Sequence, residues 1–361
     1  MIGTVQLWLS SFDLERMRAK SALSAGVRSR LYRKLAGMVD SGVPVPRAID
    51  SVWRQIAQDG RTANKPLARA VAAWRQRVND GRSVGEALTD WVPAREAMIL
   101  EAGAADLPRA FEDAATLVDT ERKVGAAVAG AVVYPVFLAS LLSALLWIFS
   151  TQAIPAFAEV KPMEQWTGLA GALGNFSRFV HAWLFPVIAA VVAGSTAVIW
   201  SFPRWTGEWR ARLDRFPPWS FYRLVAGTSF AASLSALLSA GVPLPEALRR
   251  LGETAGGWLA ERIGATLYFV KSGHDLGESL HLTGYGFPSR EMVDDLRIHA
   301  SLGGVEEKLR RLVELWVKES LEMIGRMSDL FKMAGMALMA AAIAWVQLGI
   351  IAVQRQLSGG S

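Results

Sequence analysis

Cysteine is absent from all 361 residues, which excludes disulfides and any thiolate-ligated metal. Histidine is scarce, at four. His274, Glu278 and His281 have a ligand-like spacing, but Gly273 and a helix cap expected at Asp275 place His274 outside the helix. No metal or other cofactor is therefore assigned. No glycine-rich turn closes on Lys followed by Ser or Thr, so the chain lacks a phosphate-binding loop and is not its own motor. A serine nucleophile elbow is also missing, and with no convergent catalytic set the chain reads as non-enzymatic.

Charge is the next absence. Residues 125–150, 182–203 and 333–354 contain no Lys, Arg, Asp or Glu, and each is long enough to cross a hydrocarbon core that needs about 20 helical residues. Arg122 and Lys123 precede the first run, Arg204 follows the second, and Lys332 and Arg355 bracket the third. Three transmembrane helices are predicted. Ion-coupled carriers keep ionisable groups at depth, and these runs offer none. Small residues recur instead, as at Ala126 and Gly130, Ala190 and Gly194, or Ala340 and Ala344, spacings that let helices approach within or between subunits.

Residues 1–10 have no basic n-region, so no secretory signal is expected. Ile2, Val5, Leu9 and Phe12 recur at helical spacing ahead of Arg16, Arg18 and Lys20, which makes 1–27 an amphipathic segment for an anionic membrane lipid surface or for a partner. Lys and Arg number 19 in residues 1–124, 2 between the first two apolar runs and 17 in residues 203–332. That bias predicts a cytoplasmic N-terminus, cytosolic segments 28–124 and 204–332, a periplasmic loop 151–181 and a periplasmic tail 355–361. The net charge of +6 is spread among acidic residues, with no basic stripe for nucleic acid.

What the chain has in abundance is itself. Ser41-Gly42-Val43-Pro44-Val45-Pro46-Arg47-Ala48-Ile49 is repeated as Ala240-Gly241-Val242-Pro243-Leu244-Pro245-Glu246-Ala247-Leu248. Each reads as helix, glycine stop, proline-set turn and new helix. Downstream, Gly81-Arg82-Ser83-Val84-Gly85-Glu86-Ala87-Leu88 parallels Gly273-His274-Asp275-Leu276-Gly277-Glu278-Ser279-Leu280, and Ser83 with Glu86, or Asp275 with Glu278, has capping-box spacing. Pro93-Ala94-Arg95-Glu96 then pairs with Pro288-Ser289-Arg290-Glu291. The fold class expected is an all-α membrane protein with two duplicated helical bundles and three transmembrane helices. Leu309, Leu312, Leu315 and Trp316 are expected to face the core of the second bundle.

In this order of parts the chain resembles the type II secretion F family of inner-membrane platform proteins, PilC- and GspF-like. The resemblance rests on the Gly42 to Ile49 and Gly241 to Leu248 turns, on Tyr134-Pro135 early in the first apolar run, and on Pro155-Ala156-Phe157 just beyond it. Members usually carry a Gly-Glu-x-Ser-Gly type motif late in each module. Here the segments are Glu101-Ala102-Gly103-Ala104-Ala105-Asp106 and His299-Ala300-Ser301-Leu302-Gly303-Gly304, and the glutamate is out of place in both. The family's divalent cation is accordingly not carried over, and this degeneracy resembles the type IVb pilus branch. The resemblance implies a bacterial inner-membrane platform that couples a cytosolic assembly ATPase, met first by residues 28–122, to extraction of a pilin or pseudopilin. Other inner-membrane assembly proteins and further copies of the chain are the remaining implied partners. A permease or channel with cytosolic regulatory domains is the alternative, and a membrane enzyme the third reading.

Overall fold

The computed structural model describes residues 15, 17–160, 162–216, 218–300 and 305–358. Ile2, Val5, Leu9, Phe12 and Arg16 lie outside the described residues. Every regular element among those described is helical. The chain divides into two compact units, Met1–Gly125 with Pro203–Ser320, and Ala126–Phe202 with Leu321–Ser361.

In the first unit α1 (Ala25–Asp40), α2 (Val45–Ala57), α3 (Pro66–Asn79), α4 (Val84–Leu88) and α5 (Ala94–Ala102) lead into α6 (Leu107–Ile148). A π-turn, Phe149–Ala153, joins α6 to α7 (Ile154–Val160), and α8 (Gly168–Ser201) and the short α9 (Glu208–Leu213) follow. The second half repeats the first: α10 (Trp219–Ser239), α11 (Leu244–Thr254), α12 (Gly257–Lys271), α13 (Leu276–Leu282), α14 (Arg290–Ala300) and α15 (Val305–Ser358).

The repeated order has a repeated cause. Ala48, Ile49 and Val52 form the buried stripe of α2, and Ala247, Leu248 and Leu251 form the same stripe of α11. In both copies the second helix packs on the third and the fourth on the fifth. The copies also pack on one another, because α5 of the first touches α10 and α11 of the second. Their cores merge into one apolar cluster, with Tyr32, Trp74 and Phe111 from the first copy and Phe230, Trp258, Phe287 and Trp316 from the second.

One sequence expectation is corrected here. Leu309, Val313 and Trp316 are buried along α15, whereas Leu315 is 49% exposed. Steps of four and three keep the first three on one stripe, and Leu315 falls off it.

In the second unit, Gly335 lies close against Leu138 and Gly349 against Leu173, while Phe176 meets Trp345 edge-on at 5.0 Å. Gly130 and Gly194 face open space, so within the chain the close helix approaches fall at other glycines than the expected small-residue pairs. Ser150 and Ser177 bond across the π-turn at 2.9 Å, satisfying hydroxyls in otherwise apolar helices. Helical structure runs past the predicted span limits, through Val160 and again from Gly168.

Among the described residues four helices are long and apolar enough to cross a membrane: Leu107–Val160, Gly168–Ser201, Trp219–Ser239 and Arg311–Gln356. The most apolar window of Trp219–Ser239 is 67% buried inside the protein, against 0%, 0% and 11% for the others. Its apolarity is that of a core helix packed on all sides, which length and composition cannot distinguish from a lipid-facing one.

Candidate functional site

The residues singled out from the sequence fall into two groups that lie in different units. Gly42 and Gly241 sit at the α1–α2 and α10–α11 turns with φ of 84° and 80°, a left-handed backbone that glycine adopts without strain. Each turn closes the same way: Val43 N–H donates to the Met38 carbonyl at 3.0 Å, and Val242 N–H to that of Leu237 at 3.0 Å. Pro44 and Pro243 then cap α2 and α11 in extended conformation.

Ser83 and Asp275 cap α4 and α13. The Ser83 hydroxyl accepts from Glu86 N–H at 3.1 Å, and the Asp275 carboxylate from Glu278 N–H at 2.8 Å. The glycine inside each cap is a contact residue. A Cβ on Gly85 would lie 2.5 Å from Glu101 Cβ, and one on Gly277 would lie 2.6 Å from Arg297 N. So α4 presses directly on α5, and α13 on α14. Ser83 Oγ also donates to Glu101, and Arg297 Nε to Glu278 at 2.9 Å.

Tyr134 and Pro135 lie inside α6, and Pro155 and Phe157 in α7, all in the second unit. Phe157 packs on a small cluster of Ile154, Trp166, Ala170, Leu173 and Val353, whereas Pro155 is exposed.

Two buried polar groups escaped the sequence reading. In the first copy Arg28 Nε donates to Glu96 at 2.9 Å, and the Tyr32 hydroxyl donates to the same carboxylate at 2.8 Å. Burial raises the Glu96 pKa, with Arg28 opposing, and lifts Tyr32 well above the ordinary phenol value. The repeated Pro-x-Arg-Glu pattern was the signal available, but its second copy departs from it. Glu291 is exposed, and Gly227 packs against Pro288, where a Cβ would meet the proline at 2.6 Å.

The other group joins α9 to α12. Asp214 accepts from Arg210, from Arg262 Nη2 at 2.6 Å and from Trp258 Nε1 at 3.2 Å, and all three charged side chains are almost wholly buried. The Arg262 guanidinium lies 4.0 Å from the Trp258 ring centroid. Burial, with Arg262 as a positive neighbour, lowers the Arg210 pKa to about 10; burial lowers that of Arg262 to about 10 against the pull of Glu261. Nothing in the sequence spacing of 210, 214 and 262 announces this trio.

Chemically these are joints. Among the described residues no group of three or more His, Cys, Asp or Glu could hold a metal ion.

The family description "Type II secretion system (T2SS), protein F" matches residues 31–155 and, a second time, residues 230–353. The chain is 21% identical over 345 residues to toxin coregulated pilus biosynthesis protein E of Vibrio cholerae, covering 93% of this chain and 98% of that one. It is 22% identical over 300 residues to type IV pilus assembly protein PilC of Myxococcus xanthus, covering 80% of this chain and 70% of that one.

Proposed function

The chain belongs to the type II secretion system protein F family, and from that premise we propose that it is a non-enzymatic inner-membrane platform for assembly of a type IVb pilus. The observation that carries the reading is the doubled family match on a chain that aligns over nearly the whole length of a toxin coregulated pilus biosynthesis protein. The platform couples a cytosolic assembly ATPase, through residues 28–122, to extraction of pilin from the bilayer. Its two bundles are built from capped, closely packed helices suited to holding a partner without chemistry on it.

The membrane topology proposed has three spans, from α6, α8 and α15, with the N-terminus and both bundles cytoplasmic. Two features support it. Residues 1–124 and 203–332 hold 19 and 17 Lys and Arg, against 2 in the segment between the first two apolar runs. The two bundles also share one core, which requires an even number of crossings between them. A further span at Trp219–Ser239 would pull Phe230, Leu234 and Leu237 out of that core, so this helix is read as buried in protein.

The test has two arms. Alkaline phosphatase fused near residue 270 is expected to be inactive and near residue 165 active, and activity at 270 overturns the topology. Deleting the gene is expected to abolish surface pili, and the purified full chain in mild detergent to retain the assembly ATPase. Normal piliation of the deletion strain overturns the platform reading.

A further inference from the structure

On the short helix α9 Arg210 points inward and, with the C-cap Asp214, is buried against Arg262, while the outward side exposes Trp209 (72%) with Glu208 and Arg212, and Phe216 just past the helix end (62%). Soluble surfaces seldom show large aromatics beside a buried ion pair, whereas aromatic side chains mixed with cations are the composition of a membrane interface. In the sequence α9 follows the apolar α8 after only residues 202–207.

Beside this face lies a cavity of about 100 Å³ whose lining includes four arginines, Arg212, Arg215, Arg223 and Arg290, together with Tyr285. Among the described residues none of the four makes an ion pair and no carboxylate lines the cavity. Burial lowers the Arg223 pKa; the nearby Glu291 opposes that, and Arg290 and Arg215 add smaller lowering contributions as like charges. Arg212 also lies over the Trp209 ring at 5.0 Å, which ties the cavity rim to the exposed aromatic. Such converging cations need an anion. The volume suits a single phosphate group and is well below the roughly 300 Å³ at which pockets for larger small molecules begin. Forked guanidinium donors are the side chains best matched to phosphate oxygens.

We propose that this cavity binds the phosphate of an anionic phospholipid, with Trp209 and Phe216 seated among the acyl chains, fixing the second bundle to the leaflet. Salt is expected to weaken the attachment, because exposed charges contribute about 1 kcal/mol each near an anionic surface, about five-fold in affinity. The site rests on the reading that α8 crosses the bilayer. Misplaced topology fusions test that reading, and the lipid selectivity below tests the site itself.

The experiment is native mass spectrometry of the full-length chain in non-ionic detergent, with phosphatidylglycerol, phosphatidylcholine or inorganic phosphate added. Retention of phosphatidylglycerol over phosphatidylcholine is expected. R215Q/R290Q should weaken it about 25-fold, R61Q, which removes one charge from an exposed residue of the first copy, should leave it unchanged, and W209S should weaken it while keeping the headgroup preference. If R215Q/R290Q melts early, R212Q replaces it, with about five-fold expected. Equal retention of the two lipids, equal retention by the variants, or equal weakening by R61Q overturns the site. Displacement of the lipid by equimolar inorganic phosphate overturns the lipid assignment in favour of a soluble phosphate site.

Discussion

Replacing a helical glycine by alanine ordinarily stabilises a helix, by about 0.5–1 kcal/mol. Gly264, in α12 with open space around it, should follow that rule. Gly277, in α13, should reverse it. Its added Cβ would lie 2.6 Å from Arg297 N, 2.7 Å from Leu296 C and 2.8 Å from Arg297 Cα, all backbone atoms that no rotamer change can move aside. Restoring ordinary contact requires α13 and α14 to part by roughly 0.8 Å, and overpacking of this kind costs about 1–3 kcal/mol or more. Three simultaneous backbone contacts put the cost at the upper end, leaving a net loss of about 2 kcal/mol after the propensity gain. For a unit of this size that is about 4–8 °C in melting temperature. Gly85→Ala should behave alike in the first copy, where the added atom would lie 2.5 Å from Glu101 Cβ and 2.7 Å from Glu101 N. Thermal scanning of the full chain in detergent compares wild type, G264A, G277A and G85A. If G277A rises with G264A, the close approach of these helices is wrong, and with it the reason offered for glycine in both copies.

Gly241→Val tests a different cause, since no atom lies within 4 Å of the added Cβ and only the φ of 80° opposes it. It should cost on the order of 1 kcal/mol or more through backbone strain, lowering both melting temperature and pilus number while leaving membrane insertion intact; a loss of ATPase binding with unchanged melting would instead make the turn a docking surface. Asp214→Ala should destabilise by about 3–5 kcal/mol, because it strands Arg210 and Arg262 as buried charges, and a melting temperature within 2 °C of wild type would refute the trio. The carboxyl of Glu96 is raised by burial, against the pull of Arg28 and the hydrogen bond from Tyr32. A carboxyl raised on folding favours the native state below its unfolded pKa and loses that contribution as pH rises through the folded value. Wild type should thus gain stability relative to E96Q as pH falls from neutrality toward the ordinary carboxyl range, and a difference independent of pH would contradict the shift.

Much was legible from local chemistry alone. The turns at Gly42 and Gly241, the caps at Ser83 and Asp275 and the apolar lengths of three helices are set by residues a few positions apart, so spacing and side-chain type suffice to read them. The duplication was legible for the same reason, since each copy repeats the same short-range instructions. Three things were decided only by the tertiary structure. Trp219–Ser239 has the length and apolarity of a span, and only its contacts with the rest of the second bundle and with α5 mark it as core. Gly85 and Gly277 look like ordinary helix glycines until the neighbouring helix lies against them. The inward turn of Arg210 and Asp214, leaving Trp209 outside, depends on Arg262 and Trp258, about fifty residues away, closing over the carboxylate. Hydrophobic pattern says which residues leave water; which partner satisfies a buried charge, and which face is left exposed, is determined by distances that exist only once the helices are packed.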